Sequence, residues 1–179
     1  MAIPLRKTNL KLSTSWPSHI VIHHTACKLD IPPVSLDRPT FQAQKYELMN
    51  AKILKKPGAT GFNFIVEKTG NDFSVIVSQP LMSLCEFQDI PENYYKSVHI
   101  GLLGNYNIEV PKKRIYLVLA YRLLVPLMRM FYIRENEIIT HESITEDKSF
   151  SCPGINFNMS TMLLSLRTVM KRQMVSRKK

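Results

Sequence analysis

The sequence is short of acid: 14 Asp and Glu stand against 24 Lys and Arg in 179 residues, a formal net charge of +10. It also lacks an apolar run of the roughly 18 residues that a membrane span needs. The longest candidate, 115–133, is interrupted by Arg122, Pro126 and Arg129. The first residues, MAIPLRKTNLKLSTSW, carry basic side chains but no apolar core and no small-residue cleavage site. No secretory signal is therefore expected, and the chain is expected to be made in the cytoplasm. Cysteine is scarce. Cys27, Cys85 and Cys152 are an odd number with no paired spacing, so no disulfide framework is expected and at least one thiol remains as a possible metal ligand. Internal repeats and low-complexity segments are missing too.

What is present is ordinary for a globular domain: 45% hydrophobic and 21% charged residues, enough apolar material to exclude wholesale disorder. The length fits one domain with a sizeable core. The positive charge points to a polyanionic partner or to a merely solvated surface. No zinc-finger, RNA-recognition or basic-zipper pattern accompanies it, so nucleic acid is not expected as a partner. Cell-wall polymers and anionic lipid head groups are the alternatives.

Hydrophobic alternation predicts a first strand over 19–25, with Val21, His23 and Thr25 on one face and Ile20, Ile22 and His24 on the other. A proline-rich loop follows, then a helix from Thr40 to Pro57. Strands over 61–68 and 73–78 flank Thr69-Gly70-Asn71-Asp72, a hairpin signal. Residues 80–96 read as an irregular connection, and Cys85, Glu86 and Asp89 within it as structural. A central strand over 97–103 ends at Gly104-Asn105-Tyr106-Asn107. A long helix over 112–133 should bend near Arg122 because of Pro126, with Ile115, Leu119, Leu123, Leu127, Met130 and Phe131 inward. A short strand over 137–140 delivers His141. A last helix from Asn158 or Ser160 runs into a fraying basic tail. The pattern predicts a single α/β domain over 18–170, between an arm (1–17) and a tail (171–179). Its centre is a mixed sheet of about five strands with helices on both faces.

His23 and His141 both sit at the ends of predicted strands, where α/β sheets build ligand sites, and Cys152 follows His141 by 11 residues. Two imidazoles and a thiolate suit zinc and leave a fourth position open for hydrolytic chemistry. From the side chains alone, hydrogen-bonded core histidines and a small buried thiol are the favoured alternative.

Five ordered blocks carry a resemblance: IVIHHTA (20–26), GFNFIVEKTG (61–70), SVHIGLLGNYN (97–107), IITHESIT (138–145) and SCPG (151–154). Together, from about Ser18 to Phe157, they resemble the zinc-dependent N-acetylmuramoyl-L-alanine amidases. That family includes phage-type amidase endolysins, type-2 amidases and peptidoglycan-recognition proteins. The resemblance implies Zn2+ held by His23, His141 and Cys152. It implies cleavage of the amide between N-acetylmuramic acid and L-alanine, and peptidoglycan or muropeptides as partner. His24, Phe62, Asn63 and Asn105 fall at positions implied to face substrate. The chain departs from the family at three places. Phe62 stands where many active members have tyrosine, Gly101 where some branches have glutamate, and Phe150 where a basic or hydroxyl residue often assists. Lys148 and His99 are the candidates to supply the missing polarisation. A weakly active or inactive wall binder, or a structural virion or wall component, is the alternative. With no leader expected, the resemblance suits a holin-released or virion-carried lytic protein, its basic tail drawn to an anionic envelope surface.

Overall fold

The computed structural model describes residues 15–25, 62–84, 89–145 and 151–176. Five strands form one mixed sheet: β1 (Ile20–His24), β2 (Phe64–Thr69), β3 (Asp72–Val77), β4 (Val98–Leu102) and β5 (Ile138–Thr140), in the order β3-β2-β4-β1-β5. β4 is central, as its sequence predicts. It pairs in parallel with β1 and β2, and β1 pairs in parallel with β5. Among the described strands only β2 and β3 run antiparallel, joined across Gly70 and Asn71, with Thr69 opposite Asp72. Gly70 takes φ +58 in this turn, a conformation that suits glycine.

All five residues of β1 and of β4 are buried, as expected for parallel strands covered on both sides. Ile20, Ile22, Phe64, Val66, Ile100 and Leu102 form the sheet's side of the main core. The opposite face carries Phe62, Ile65 and Leu103, and His23 packs there against Phe62.

Helices α1 (Lys113–Val118) and α2 (Val125–Phe131) are joined by a π-helical stretch, Leu119–Leu124. The bend expected near Arg122 takes this form. Pro126 has no N–H to donate to Arg122, and the ladder widens before it: Val125 N–H reaches back five residues to Ala120 O. The wider turns shift the helical phase. Leu124 and Val125 enter the core, while Met130, expected inward, is 55% exposed. A short helix α3 (His141–Ile144) follows β5 directly. The last helix, α4 (Met159–Ser176), is capped by Asn158, whose Oδ1 accepts the Thr161 N–H at 2.8 Å. It buries Met162, Leu166 and Val169 against α1 and the π-helical stretch. It stays helical through Lys171 and Arg172 to Ser176, beyond the point where fraying was expected.

The expected helix over 40–57, the second helical layer, lies outside the described residues. So do Cys27, Cys85, Lys148, Phe150 and the last three residues of the tail.

Candidate metal centre

β1 ends in two histidines whose side chains part, because alternate residues of a strand face opposite sides of the sheet. His23 lies on the side of Phe62. β5, on the other flank of β1, runs straight into α3 and presents His141 beside it; the two rings are 4.7 Å apart, centroid to centroid. Cys152 arrives on a turn that is pinned from several directions. His24 N–H points at its sulfur at 3.4 Å, and Glu142 N–H donates to its carbonyl at 2.9 Å. Gly154, at φ +104, lies so close to the Tyr106 main chain that a Cβ there would meet the Tyr106 carbonyl carbon at 2.4 Å. Asn156 N–H completes the docking on Tyr106 O.

The structure thereby brings His23, His141 and Cys152 together: one ligand atom from each lies within 4.8 Å of the others, and all three residues are buried. Burial governs their charge. It pushes both imidazoles below their ordinary range, helped at His23 by the neighbouring His99, His141 and His24. At His141, Asp89 opposes the shift. The Cys152 thiol is pushed up to about 12 by burial, against the pull of the His24 N–H, with Asp89 and Glu142 adding to the rise. Burial thus disfavours charge on all three donors. This donor set fits a zinc ion, which prefers nitrogen and sulfur ligands at about 2.0–2.3 Å and provides the positive charge that turns a thiol into a thiolate.

The other expected site residues take different places. His99, expected beside the cleft, is fully buried behind His23: its Nδ1 is 2.9 Å from His23 Nε2, and its Nε2 is 3.0 Å from the Tyr94 carbonyl. Asn63, expected to face substrate, is fully buried as well. Its Oδ1 accepts the His99 N–H at 2.8 Å and its Nδ2 donates to Pro80 O at 2.8 Å, so it braces β4. His24 serves the frame also. Its Nδ1 accepts the Tyr106 N–H at 3.1 Å, and its ring bonds the Ser151 main chain. Asn105 closes the turn after β4 through a bond from Asn107 N–H to its Oδ1.

Phe62 and Gly101 prove to be one packing arrangement. The Phe62 ring, 3% exposed, lies over Gly101 so closely that a Cβ there would meet the ring at 2.7 Å. The ring occupies the space into which a side chain at position 101 would project, which accounts for glycine on this strand. Asp89, read from the sequence as structural, instead stands at the site: its Oδ2 lies 3.0 Å from His141 Nε2. No spacing rule links residues 52 apart that meet through an irregular connection. Sequence reasoning missed Tyr94, because the group used is a main-chain carbonyl.

No family model matches the chain, and no curated relative matches it. Solved structures do. The N-acetylmuramoyl-L-alanine amidase endolysin LysCS from Clostridium intestinale is 21% identical, over 91% of this chain and 92% of its own, with a TM-score of 0.66. The Ph2119 endolysin from a Thermus scotoductus bacteriophage is 18% identical, over 90% and 92%, with a TM-score of 0.65. Human PGRP-IBETAC, solved with glycosamyl muramyl pentapeptide, is 19% identical, over 85% of each chain, with a TM-score of 0.63. The five-stranded sheet, its helices and its topology are thus those of the amidase and peptidoglycan-recognition-protein fold.

Proposed function

We propose that this protein is a zinc hydrolase that cleaves the amide between N-acetylmuramic acid and L-alanine in peptidoglycan. The observation that carries this reading is the convergence of His23, His141 and Cys152, buried, with ligand atoms within 4.8 Å. The likeness of fold to amidase endolysins supports it. A bound zinc ion supplies Lewis acidity, which polarises a carbonyl and activates water near neutral pH. The chain's own residues do the rest. His23, His141 and Cys152 hold the ion. Asp89, 3.0 Å from His141 Nε2, orients that ring. Phe62 closes the side toward Gly101 against water. Lys148 is the candidate to polarise the scissile carbonyl, and Asn105, in the half-buried turn beside the Cys152 loop, a candidate substrate contact. Lys171 and Arg172 on the exposed end of α4 continue the basic tail proposed to draw the protein to an anionic envelope.

The test is release of L-alanine peptides from muropeptides with and without a zinc chelator, together with the zinc content of the purified chain. About one zinc per chain and chelator-sensitive release are expected. Tight muropeptide binding without release would favour the second reading, a wall-binding protein on the same fold. Phe62 in place of tyrosine and Gly101 in place of glutamate motivate that alternative.

A further inference from the structure

His99 meets His23 across two neighbouring strands. β1 and β4 pair with Val21 opposite His99 and His23 opposite Gly101. The two imidazoles therefore share one face of the sheet, one step apart along the strands. Their contact is internal, since His99 is 0% and His23 2% exposed, and no bulk water competes for it.

The proton positions follow from the partners. The Tyr94 carbonyl accepts and cannot donate, so the His99 nitrogen facing it at 3.0 Å, Nε2, carries a hydrogen. His99 is 0% exposed, and removing an imidazole from water disfavours its charged form. A neutral imidazole has one N–H, so His99 Nδ1 is an acceptor, and the atom facing it at 2.9 Å, His23 Nε2, must donate. The chain fixes both ends of this relay. Tyr94 O is held in a turn where it also accepts the Ser97 N–H at 3.0 Å. The His99 main chain is clamped by Asn63, through Oδ1 at 2.8 Å and through Asn63 N–H to His99 O at 2.9 Å.

We infer that His99 is a positioning residue that holds His23 in the tautomer protonated at Nε2, so that Nδ1 carries the lone pair offered to the metal. The inference rests on the zinc reading for its purpose, while its tautomer stands or falls separately. Partners of this kind orient a ligating imidazole, and their loss typically weakens metal binding 10–100-fold.

The experiment uses the full chain, metal-free, with 15N-labelled histidine. Long-range proton–nitrogen correlation spectra are expected to place the His23 hydrogen on Nε2 and leave Nδ1 unprotonated. A His23 protonated at Nδ1 overturns the inference whatever the protein binds. Zinc affinity by chelator competition is then compared in His99→Leu and His99→Asn. The leucine variant, with no acceptor, is expected to lose roughly 10–100-fold. The asparagine variant, with an oxygen near the place of Nδ1, is expected to recover most of that loss. A folded leucine variant with wild-type affinity refutes the positioning role. A wild-type chain that takes up no zinc refutes the metal reading but leaves the tautomer assignment to its own spectrum.

Discussion

A methyl group added at Gly101 tests the packing around the site. Its carbon would lie 2.7 Å from Phe62 Cδ2 and 2.9 Å from both Cε2 and Cγ. Ordinary carbon contacts are about 3.5–4.0 Å, so the ring must withdraw by roughly 1 Å. It has little room: it is 3% exposed and its centroid is 5.2 Å from that of His23. Overpacking of this kind costs about 1–3 kcal/mol. Against it, alanine restricts the unfolded chain and gains about 0.4–1 kcal/mol where the backbone permits. The net effect of Gly101→Ala alone is thus a modest destabilisation, roughly 2–4 °C in Tm per kcal/mol for a chain of this size. The sharper quantity is a double-mutant cycle. Phe62→Ala removes all three crowding atoms, so Gly101→Ala in that background should cost about 1–3 kcal/mol less than in the wild type. Urea unfolding at constant m-value measures it. Equal costs in the two backgrounds would mean that the ring does not cover Gly101, and the packing reason for glycine at that position would fail.

Three further outcomes are expected. Phe62→Tyr should raise turnover on muropeptides, by up to about 10²–10³ if the hydroxyl acts as an oxyanion donor; unchanged turnover would show that another group already fills that role. Gly154→Ala forces a side chain into the Tyr106 main chain at φ +104, with backbone strain alone of about 1–3 kcal/mol. It should lower both thermal stability and zinc affinity, and a variant that keeps both would contradict the docking of the Cys152 turn. Asp72→Asn concerns acid stability. The Arg114 guanidinium, bonded to Asp72 at 2.8 Å, holds that carboxyl well below the usual range. A depressed folded pKa contributes stability above the unfolded value, about 3.9, and that contribution is lost as pH falls through the folded pKa. Wild type should therefore hold a modest lead over the variant at about pH 5–7, kept small because the pair is exposed, and lose that lead on going from pH 5 to pH 2. Parallel curves would show that the pair contributes nothing.

The elements that were legible in the sequence are those whose signal is local. The hairpin follows from alternation on both sides of Gly70-Asn71, and β1 and β4 from buried β-branched runs. The amphipathic helix was legible in position but not in phase, since a single proline widened the turns before it and moved Met130 to the surface. For the site, the three donors were visible as residue types at strand ends and within ordered blocks. Their surroundings were not. Asp89 reaches His141 through an irregular connection, and His99 gains its place from a carbonyl that any residue at position 94 would present. Asn63 and His24 are buried and hydrogen-bonded within the frame, and burial is a property of the packed whole.

β5 is three residues long, and among the described residues it pairs with β1 at the edge of the sheet. His141 begins immediately after it, 118 positions from His23 (141 − 23). A metal shared by these two residues would act as a clasp across a very long loop, fastening the shortest strand at the rim of the sheet. Peeling β5 away would separate the donors, and losing the ion would make peeling easier. Amide hydrogen exchange at Ile138–Thr140 should therefore slow when zinc is added, more than exchange in central β4. In that picture a bound ion would also guard a short strand at the edge of the sheet.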